Sequence, residues 1–480
     1  MTPAARIAAA IELLAQVEAA PGRPADAVAS DYFRARRFIG GGDRRAVSER
    51  AWGVLRARRR LGWWLSRDRD DRVPQDQTPE DQTPGDQTLG GPPAGQPTPR
   101  TMVAAALLFD GWTPSGVAQA FSGGKFAAAA LSATEQAVIA RLAGHTLDHP
   151  AMPDAVRLEV PDWVLPRLVA RFGTALGAEL AALLDPAPLD LRANLLKASR
   201  EAAQAALAAE GFEATPTPLS PWGLRLPGRR PITAGPAFQS GLVEIQDEGS
   251  QLVALLTDAR PGMRVADLCA GAGGKALALA ATMQNRGHIA ACDVSAPRLD
   301  AAVRRFRRAG AHNIERHLLG AGDRWLKRHA GGFDRVLVDA PCTGTGTWRR
   351  NPDARSRLTE TDLAELVVRQ AGLLDDAASL VRKGGRLVYA TCSLFPEENE
   401  GQVQAFLDRH AAFALVPLAR AWPTVASPEP GVPDLGPSSL RPPNLGPPNL
   451  GPPCPGEMLV LTPRQHGTDG FFAAVLERTA

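Results

Sequence analysis

The alternation of short apolar strands with helices after Gly241 constrains the fold of this chain more than any other sequence feature. Near-continuous apolar runs over 264–268, 289–293, 333–339 and 386–391 are each followed by a helical pattern. Such runs are typical of parallel strands buried on both faces, joined by right-handed crossovers. The segment therefore predicts a doubly wound α/β domain, in which ligands bind beyond the carboxyl ends of the strands.

Two segments with different patterns precede this domain. Residues 1–145 carry apolar residues at helical spacing without strand alternation, which predicts an all-α domain. Residues 155–240 combine a helical run, Trp163 to Leu184, with short strand-like pieces, which predicts a small α+β module. The 480-residue chain is thus expected to hold three domains, the last spanning 241–480.

Two stretches depart from the globular pattern. Residues 67–100 repeat Asp-Gln-Thr among prolines and glycines, and residues 427–456 repeat a Pro-Pro-Asn-Leu-Gly unit. Neither has enough apolar surface to offset the entropy of ordering, so both are predicted to be flexible insertions.

Composition narrows the class of protein. Apolar residues make up 44% and charged residues 22% of the chain, which excludes wholesale disorder. No run of eighteen uncharged apolar residues occurs, and the first residues lack the features of a secretory signal, so a cytoplasmic protein without membrane contact is expected. Between Asp31 and Arg67 there are eleven arginines against three acidic residues. A coding bias toward arginine and a surface that binds phosphate are two alternative explanations of that excess.

A glycine-rich turn follows the first strand of the α/β domain. Its glycines permit a tight turn and close approach of a ligand, and the next helix presents free N–H groups. A P-loop is excluded, because position 269 is not glycine and position 276 is neither serine nor threonine. Asp293 ends the next strand, twenty residues past Gly273, where a carboxylate can accept ribose hydroxyls. NAD and S-adenosylmethionine fit these residues equally well.

Two of the five cysteines are candidates for chemistry. No C-x-x-C pair occurs, so neither a structural zinc site nor any other metal site is expected. Cys342 and Cys392 follow strands at their carboxyl ends, beside hydroxyl residues and glycine. A thiolate that adds to cytosine C6 makes C5 nucleophilic enough to take a methyl group, which is covalent catalysis. Asp339, at the end of the same strand as Cys342, can bond the ring N3 and exocyclic amine.

Five stretches carry a resemblance to a known family. Residues 245–251, 267–275, 339–344, 391–400 and 466–472 look like the motifs of the RsmB/NOL/NOP/Sun family of RNA cytosine-5 methyltransferases. The resemblance implies a Rossmann-like class I domain that uses S-adenosylmethionine to form 5-methylcytosine in RNA.

The resemblance also implies residue roles. Cys392 would attack cytosine C6, Cys342 would be the thiol needed for product release, and Asp339 would contact the base. The residues implied to surround S-adenosylmethionine are Cys269, Ala270, Gly271, Ala272, Gly273, Gly274, Lys275, Asp293, Arg298, Asp323 and Asp339.

The preceding domains are similar to accessory modules of bacterial members. Residues 1–145 resemble their NusB-like RNA-binding domain, and 155–240 resemble their RRM-like linking module. This similarity implies 16S ribosomal RNA as substrate and a monomeric enzyme. A transfer RNA cytosine-5 methyltransferase, an NAD-dependent oxidoreductase and a non-catalytic RNA-binding factor are the alternatives.

Two arginine clusters lie in the α/β domain. Arg349 and Arg350 follow the Cys342 motif and are predicted to contact RNA phosphate. Four further arginines are predicted to form a solvated helix face: Arg304, Arg305, Arg307 and Arg308.

Overall fold

The computed structural model describes residues 1–67, 97–228, 230–320, 323–422 and 453–480. The chain forms two compact units, one of residues 1–166 with 351–357 and one of residues 167–350 with 358–480. Most of each predicted insertion, 68–96 and 423–452, lies outside the described residues. No helix within the described ranges is long and apolar enough to cross a membrane.

The first unit is helical, as its apolar spacing predicts. Its core is formed by aliphatic and aromatic side chains on the inner faces of these helices, with Leu13, Val47 and Leu107 almost fully buried. The unit continues to Pro166, past the expected boundary at 145. Its helices are α1 (Pro3–Glu18), α2 (Ala25–Ala35), α3 (Gly41–Arg56), α4 (Arg58–Ser66), α5 (Pro99–Phe109), α6 (Pro114–Ala120), α7 (Ala133–Leu142) and α8 (Asp154–Arg157).

The arginine-rich stretch of the first unit does not form a uniformly basic surface. Arg37 and Arg45 are exposed, on either side of the glycines that begin α3, and Phe38 beside Arg37 is 78% exposed. Six of the eleven arginines are engaged with carboxylates of the same unit: Arg34, Arg36, Arg50, Arg58, Arg59 and Arg60. Charge available to an RNA phosphate is therefore smaller than the residue count indicates.

The remaining elements include the four strands predicted after Gly241, whereas the strands over 314–318, 413–416, 459–461 and 471–478 are not predicted, and the helix over 354–357 belongs to the first unit. The strands are β1 (Leu189–Ala193), β2 (Thr215–Pro216), β3 (Gly223–Leu226), β4 (Val243–Ile245), β5 (Arg264–Asp267), β6 (His288–Asp293), β7 (Ile314–Leu318), β8 (Phe333–Asp339), β9 (Val381–Thr391), β10 (Phe413–Val416), β11 (Leu459–Leu461) and β12 (Phe471–Arg478). The helices are α9 (Leu165–Phe172), α10 (Leu176–Leu184), α11 (Arg200–Ala209), α12 (Pro236–Gln239), α13 (Glu248–Leu256), α14 (Gly274–Thr282), α15 (Ala296–Ala309), α16 (Trp325–Arg328), α17 (Ala354–Arg357), α18 (Glu360–Leu380), α19 (Glu400–Arg409), α20 (Leu418–Ala421) and α21 (Pro463–His466).

The second unit contains two sheets. The smaller is antiparallel, in the order β2-β3-β1-β4, and packs α11 and α12 against its apolar face. The larger has the order β10-β12-β9-β8-β5-β6-β7, with β11 paired to β12. Strands β5 to β9 pair in parallel, whereas β12 is antiparallel to both β9 and β10.

The antiparallel strand β12 distinguishes the sheet from that of a dinucleotide-binding oxidoreductase domain. Dinucleotide-binding domains have the parallel strand order 3-2-1-4-5-6. Here β12 lies between β9 and β10 and runs against them, so the sheet departs from that order on this side. The sheet therefore disfavours the oxidoreductase alternative and agrees with the predicted methyltransferase domain.

Two predicted helices are interrupted. The run from Trp163 to Leu184 is divided at Gly173, whose φ of +49° lies outside the helical region, into α9 and α10. The helix expected over 396–410 begins only at Glu400, after a 3₁₀ turn. Asn399 has φ −112° and ψ −103° there, because its side chain bonds Thr391 and the carbonyl of Ser393 instead of continuing a helix.

Candidate active site

The glycine-rich turn connects β5 to α14, and its conformation is set by positive φ angles, close packing and hydrogen bonds to its carbonyls. Gly271 and Gly273 have φ of +53° and +79°, a region that favours glycine. A Cβ on Gly273 would lie 2.3 Å from a ring carbon of Phe306, so α15 packs against the turn without room for a side chain. The Ala272 carbonyl accepts from Arg305 at 2.8 Å, and the Gly274 carbonyl accepts from Arg192 at 2.9 Å.

Asp293 lies beside this turn, as the sequence predicts. Its two carboxylate oxygens accept the N–H groups of Gly271 and Ser295, each at 2.8 Å. Because each oxygen can accept a second hydrogen bond, the carboxylate keeps capacity for the hydroxyls of a ribose.

A cavity of about 190 Å³ adjoins the turn. Its walls are mostly polar and carry negative charge on two carboxylates and positive charge on an ammonium and a guanidinium group. The lining residues are Ile245, Gln246, Ser250, Asp267, Cys269, Ala270, Gly274, Lys275, Arg305 and Asp339. Five residues predicted from the sequence to bind a cofactor thus lie on one cavity.

Charges in this cavity are arranged around Lys275. Its ammonium donates to Asp339 Oδ2 at 2.5 Å, and the Asp339 side chain is 30% exposed. Asp267, at the end of β5, is fully buried, and neither of its carboxylate oxygens has a hydrogen-bond partner among the described residues. Burial, with the charge of Asp339 as the next cause, raises the pKa of Asp267 to about 7.

The two candidate cysteines lie together at the ends of β8 and β9. Their sulfur atoms are 3.4 Å apart, although 50 residues separate them in the chain. The hydrogen bond to Cys392 and then burial raise the pKa of Cys342 well above its usual value. The sulfur of Cys454 is instead bonded by the backbone N–H of Val460.

The other cysteines of the sheet are packing residues. Cys292 is fully buried in the core, and burial raises the pKa of its thiol. Cys269 borders the cavity, but burial and the nearby Asp267 carboxylate raise its pKa as well. A thiolate is therefore disfavoured at both positions.

Glu398 joins the two cysteine loops, and the sequence gives no role for it. Its side chain is fully buried. One carboxylate oxygen accepts the backbone N–H of Thr343 and the Gln370 amide, both at 2.9 Å. The other accepts the hydroxyls of Thr343 and Ser393. The only sequence signal is its place in the 391–400 motif.

The prediction that Arg349 contacts phosphate is wrong, whereas the same prediction for Arg350, whose side chain is 29% exposed, stays a prediction. Arg349 is 4% exposed and donates to Asp469 at 2.5 Å. Arg350 donates to Asp469 and, at 2.8 Å, to Asp247. Both guanidinium groups are thus held by two buried carboxylates. Burial lowers the pKa of Arg350, but the charges of Asp469 and Asp247 outweigh it and raise the pKa.

Only half of the arginine face on α15 is solvated. Arg304 and Arg307 are exposed. Arg305 and Arg308 instead form ion pairs with the buried carboxylate of Glu244 on β4. One face of α15 therefore presents charge to solvent, and the other forms ion pairs that link the small sheet to the large sheet.

Two further predicted cofactor residues lie near the carboxyl edge of the sheet. Asp323 accepts the backbone N–H of Trp325 at 2.9 Å and bonds His317, which holds the pKa of its carboxyl below the usual value. Arg298 is exposed in the first turn of α15, five residues after Asp293.

The sheet order, the glycine-rich turn and the cavity together agree with the class I methyltransferase fold, which binds a nucleoside cofactor. The family model described as 16S rRNA methyltransferase RsmB/F matches residues 254–477, and a model of the ferredoxin-like domain of these methyltransferases matches residues 160–233. The probable ribosomal RNA small subunit methyltransferase B of Synechocystis is 34% identical over 69% of this chain and 70% of its own length. The chain therefore belongs to the RsmB/F family of S-adenosylmethionine-dependent RNA methyltransferases.

Further comparisons agree with this assignment. Ribosomal RNA small subunit methyltransferase B of Photorhabdus laumondii is 33% identical over 52% of this chain and 58% of its own length. The crystal structure of PH0851 matches 99% of both chains with a TM-score of 0.70 at 24% identity, which supports the fold. A methyltransferase homologue from Pyrococcus horikoshii is 30% identical over 69% of this chain and all of its own, with a TM-score of 0.54.

The residues around the cavity fit S-adenosylmethionine. This cofactor carries a sulfonium and an ammonium group, a carboxylate and a ribose diol. The cavity offers the Asp267 carboxylate, whose oxygens have no hydrogen-bond partner among the described residues, and the Lys275 ammonium. Asp293, which bonds Gly271 of the adjoining turn, adds spare acceptor capacity. These groups suit the cationic part, the carboxylate and the ribose hydroxyls of the cofactor.

We expect Gly273→Ala to lower the free energy of unfolding by about 1–3 kcal/mol, because the side chain would occupy a left-handed position against Phe306. Denaturant unfolding measures the change. Gly372→Ala, in open space on α18, is the control and should slightly raise stability. Equal stability of Gly273→Ala and the native chain would contradict the close packing.

We expect Asp267→Asn to change how stability depends on pH. Because the pKa of Asp267 is raised in the folded state, its contribution to native stability should fall as pH rises from about 4 to about 7 and stay constant above. The variant lacks this loss, so its stability relative to the native protein should be higher at pH 8 than at pH 5. Urea midpoints at both values, with exposed Asp300→Asn as control, measure the difference. Parallel curves for native and Asp267→Asn proteins would refute it.

Proposed function

We propose that this protein methylates C5 of a cytosine in 16S ribosomal RNA and that Cys392 forms a covalent bond to C6 of the base during the reaction. The observation that carries the proposal is the 3.4 Å separation of the Cys342 and Cys392 sulfurs, which follow β8 and β9 at the sheet edge where Asp339, the last residue of β8, lines the cavity. Covalent catalysis at a pyrimidine needs one sulfur to attack and a group to assist departure.

The reaction begins and ends on the Cys392 sulfur. Its thiolate adds to C6, the C5–C6 double bond becomes a nucleophile at C5, and a methyl group is added there. Bound S-adenosylmethionine supplies that methyl group as an electrophile on a sulfonium. Solvent water then takes the C5 proton, the C–H electron pair re-forms the C5–C6 double bond, and the C6–sulfur pair leaves with Cys392 as its thiolate. We assign Cys342 to this release step, because its sulfur is adjacent to the bond that breaks.

Asp339 and Lys275 stabilise the charge that develops on the ring. Asp339 is the last residue of β8 and precedes Cys342 by three residues, so its carboxylate lies at the same sheet edge as the sulfurs. It can accept the exocyclic amine of cytosine while Lys275 retains its bond to the same carboxylate. The Lys275 ammonium adds positive charge where the adduct gains electron density.

The remaining predicted residues bind the cofactor in this proposal. The turn from Cys269 to Lys275 supplies backbone groups, and Asp293 accepts the ribose hydroxyls. Asp323, which Trp325 and His317 hold in place, contacts the adenine, and Arg298 lies at the rim.

The proposal for ribosomal RNA rests on the relatives, whose names specify the small subunit. We expect bisulfite sequencing of RNA from a deletion strain to show one cytosine in 16S ribosomal RNA that becomes unprotected, with protection restored by the native gene. A Cys392→Ala gene is the matched control and should not restore it. A lost signal in transfer RNA alone would assign the substrate to that RNA class instead, and no lost signal in either would overturn the proposal.

We expect the two cysteines to give opposite results when each is removed. Cys392→Ala should abolish methyl transfer and leave S-adenosylmethionine binding intact, because the sulfur serves only the bond to C6. Cys342→Ala should accumulate an enzyme–RNA adduct, seen as a shifted band on a denaturing gel. Cys454→Ala, distant in sequence from both loops, is the control and should do neither. Full activity of Cys392→Ala, or absence of any adduct with Cys342→Ala, would contradict the assigned roles.

A further inference from the structure

One side chain that takes no part in the proposed chemistry bonds both cysteine loops, which are also joined directly by the Gly346 N–H to the Cys392 carbonyl at 2.9 Å and by the Leu394 N–H to the Thr345 hydroxyl at 2.7 Å. Glu398 is fully buried in the 3₁₀ turn before α19. Its carboxylate bonds Thr343 and Ser393, and each of these residues directly follows one of the two cysteines in the chain. The Thr343 and Ser393 hydroxyls are also 3.1 Å from each other.

Four donors surround the Glu398 carboxylate. Two are N–H groups, from the Thr343 backbone and the Gln370 amide, and two are hydroxyls. An ionised carboxylate has about four acceptor positions, so all of them are used. The network extends outward, because Gln370 also donates to the Pro341 carbonyl at 2.9 Å, just before Cys342.

Rigid elements anchor both ends of this arrangement. Tyr389 on β9 donates its hydroxyl to the Glu398 backbone carbonyl at 2.6 Å. Gln370 lies on α18, a 21-residue helix. Glu398 is therefore fixed to β9 and α18, and it holds the residue after each cysteine at a set distance from the other.

We propose that Glu398 is a positioning residue that keeps the Cys342 and Cys392 sulfurs adjacent through its hydrogen bonds to Thr343 and Ser393. The inference rests on the cysteine roles proposed above. It assigns a function to a carboxylate that touches neither sulfur, base nor cofactor. Without these bonds the two loops lose the anchor next to each sulfur and keep only their direct bonds, so the distance between the sulfurs becomes more variable.

The sulfur separation can be tested without RNA or cofactor. Diamide oxidises two adjacent thiols to a disulfide: the sulfurs lose two protons and two electrons, and the reagent is reduced to the hydrazine. The rate of the Cys342–Cys392 disulfide, followed by peptide mass spectrometry, reports how often the sulfurs meet. This readout is independent of whether the protein methylates cytosine, so failure of the proposed function and failure of this inference are distinguishable.

We expect Glu398→Ala to slow disulfide formation by about tenfold or more, because the loops lose their fixed approach. Glu398→Gln keeps one oxygen for the two N–H donors and can donate to both hydroxyls through its amide. It should therefore react within about threefold of the native rate or faster. Glu397→Ala is the matched control, since Glu397 is partly exposed and pairs with Arg167 outside this network.

Folding of each variant is checked by circular dichroism at a temperature well below its unfolding transition. The proposal is overturned if folded Glu398→Ala reacts at the native rate, or if folded Glu398→Gln is as slow as Glu398→Ala. In methylation assays, Glu398→Ala should lower kcat with little change in KM for RNA, and Glu398→Gln should recover most of kcat. A loss confined to KM would also count against a positioning role.

Discussion

Parallel pairing of β8 with β9 is the constraint on which the rest of the site depends. In this register Asp339 is opposite Ala390, so both strands end at the same edge and deliver their loops side by side. A shift by one residue would turn every side chain of β9 to the other face of the sheet. The continuous burial of Leu387, Val388 and Tyr389 opposes such a shift, because both faces of the strand are packed. The apolar core thereby sets the position of two loops that carry the polar residues of the site and that themselves bury Ala340, Leu394 and Phe395.

Buried carboxylates then hold these loops in place. Asp247 and Asp469 bind both Arg349 and Arg350, and Glu244 binds two arginines of α15. A buried ion pair adds little net stability, but loss of one partner leaves an uncompensated charge and is strongly destabilising. Their contribution is therefore to specificity of arrangement: each joins segments distant in the chain. Burial raises the pKa of Asp469 to about 6, with Asp247 as the next cause, so this junction is sensitive to mild acid.

The sequence predicts the parts of this structure that have local signals. Strands β5, β6, β8 and β9 are nearly continuous apolar runs. Glycine, cysteine and aspartate at the strand ends indicate the loops that follow them. The antiparallel insertion of β12 has no such signal, because pairing partners are set by the whole sheet. The partners of Arg349 and Arg350 were missed for the same reason: Asp469 lies over a hundred residues away. Glu398 is undetectable as an anchor until the fold brings Thr343 and Ser393 to it.

The geometry also explains why the two sulfurs can take different roles. Two thiols 3.4 Å apart do not ionise independently, since a charge on one opposes a charge on the other. The hydrogen bond to Cys392, burial and the charge of Glu398 all raise the pKa of Cys342. These causes act on Cys342, the thiol assigned above to product release, whereas the attacking sulfur in the proposed reaction is that of Cys392. The asymmetry arises from the surroundings of two chemically identical side chains, and Glu398 contributes to it both as an anchor and as a charge.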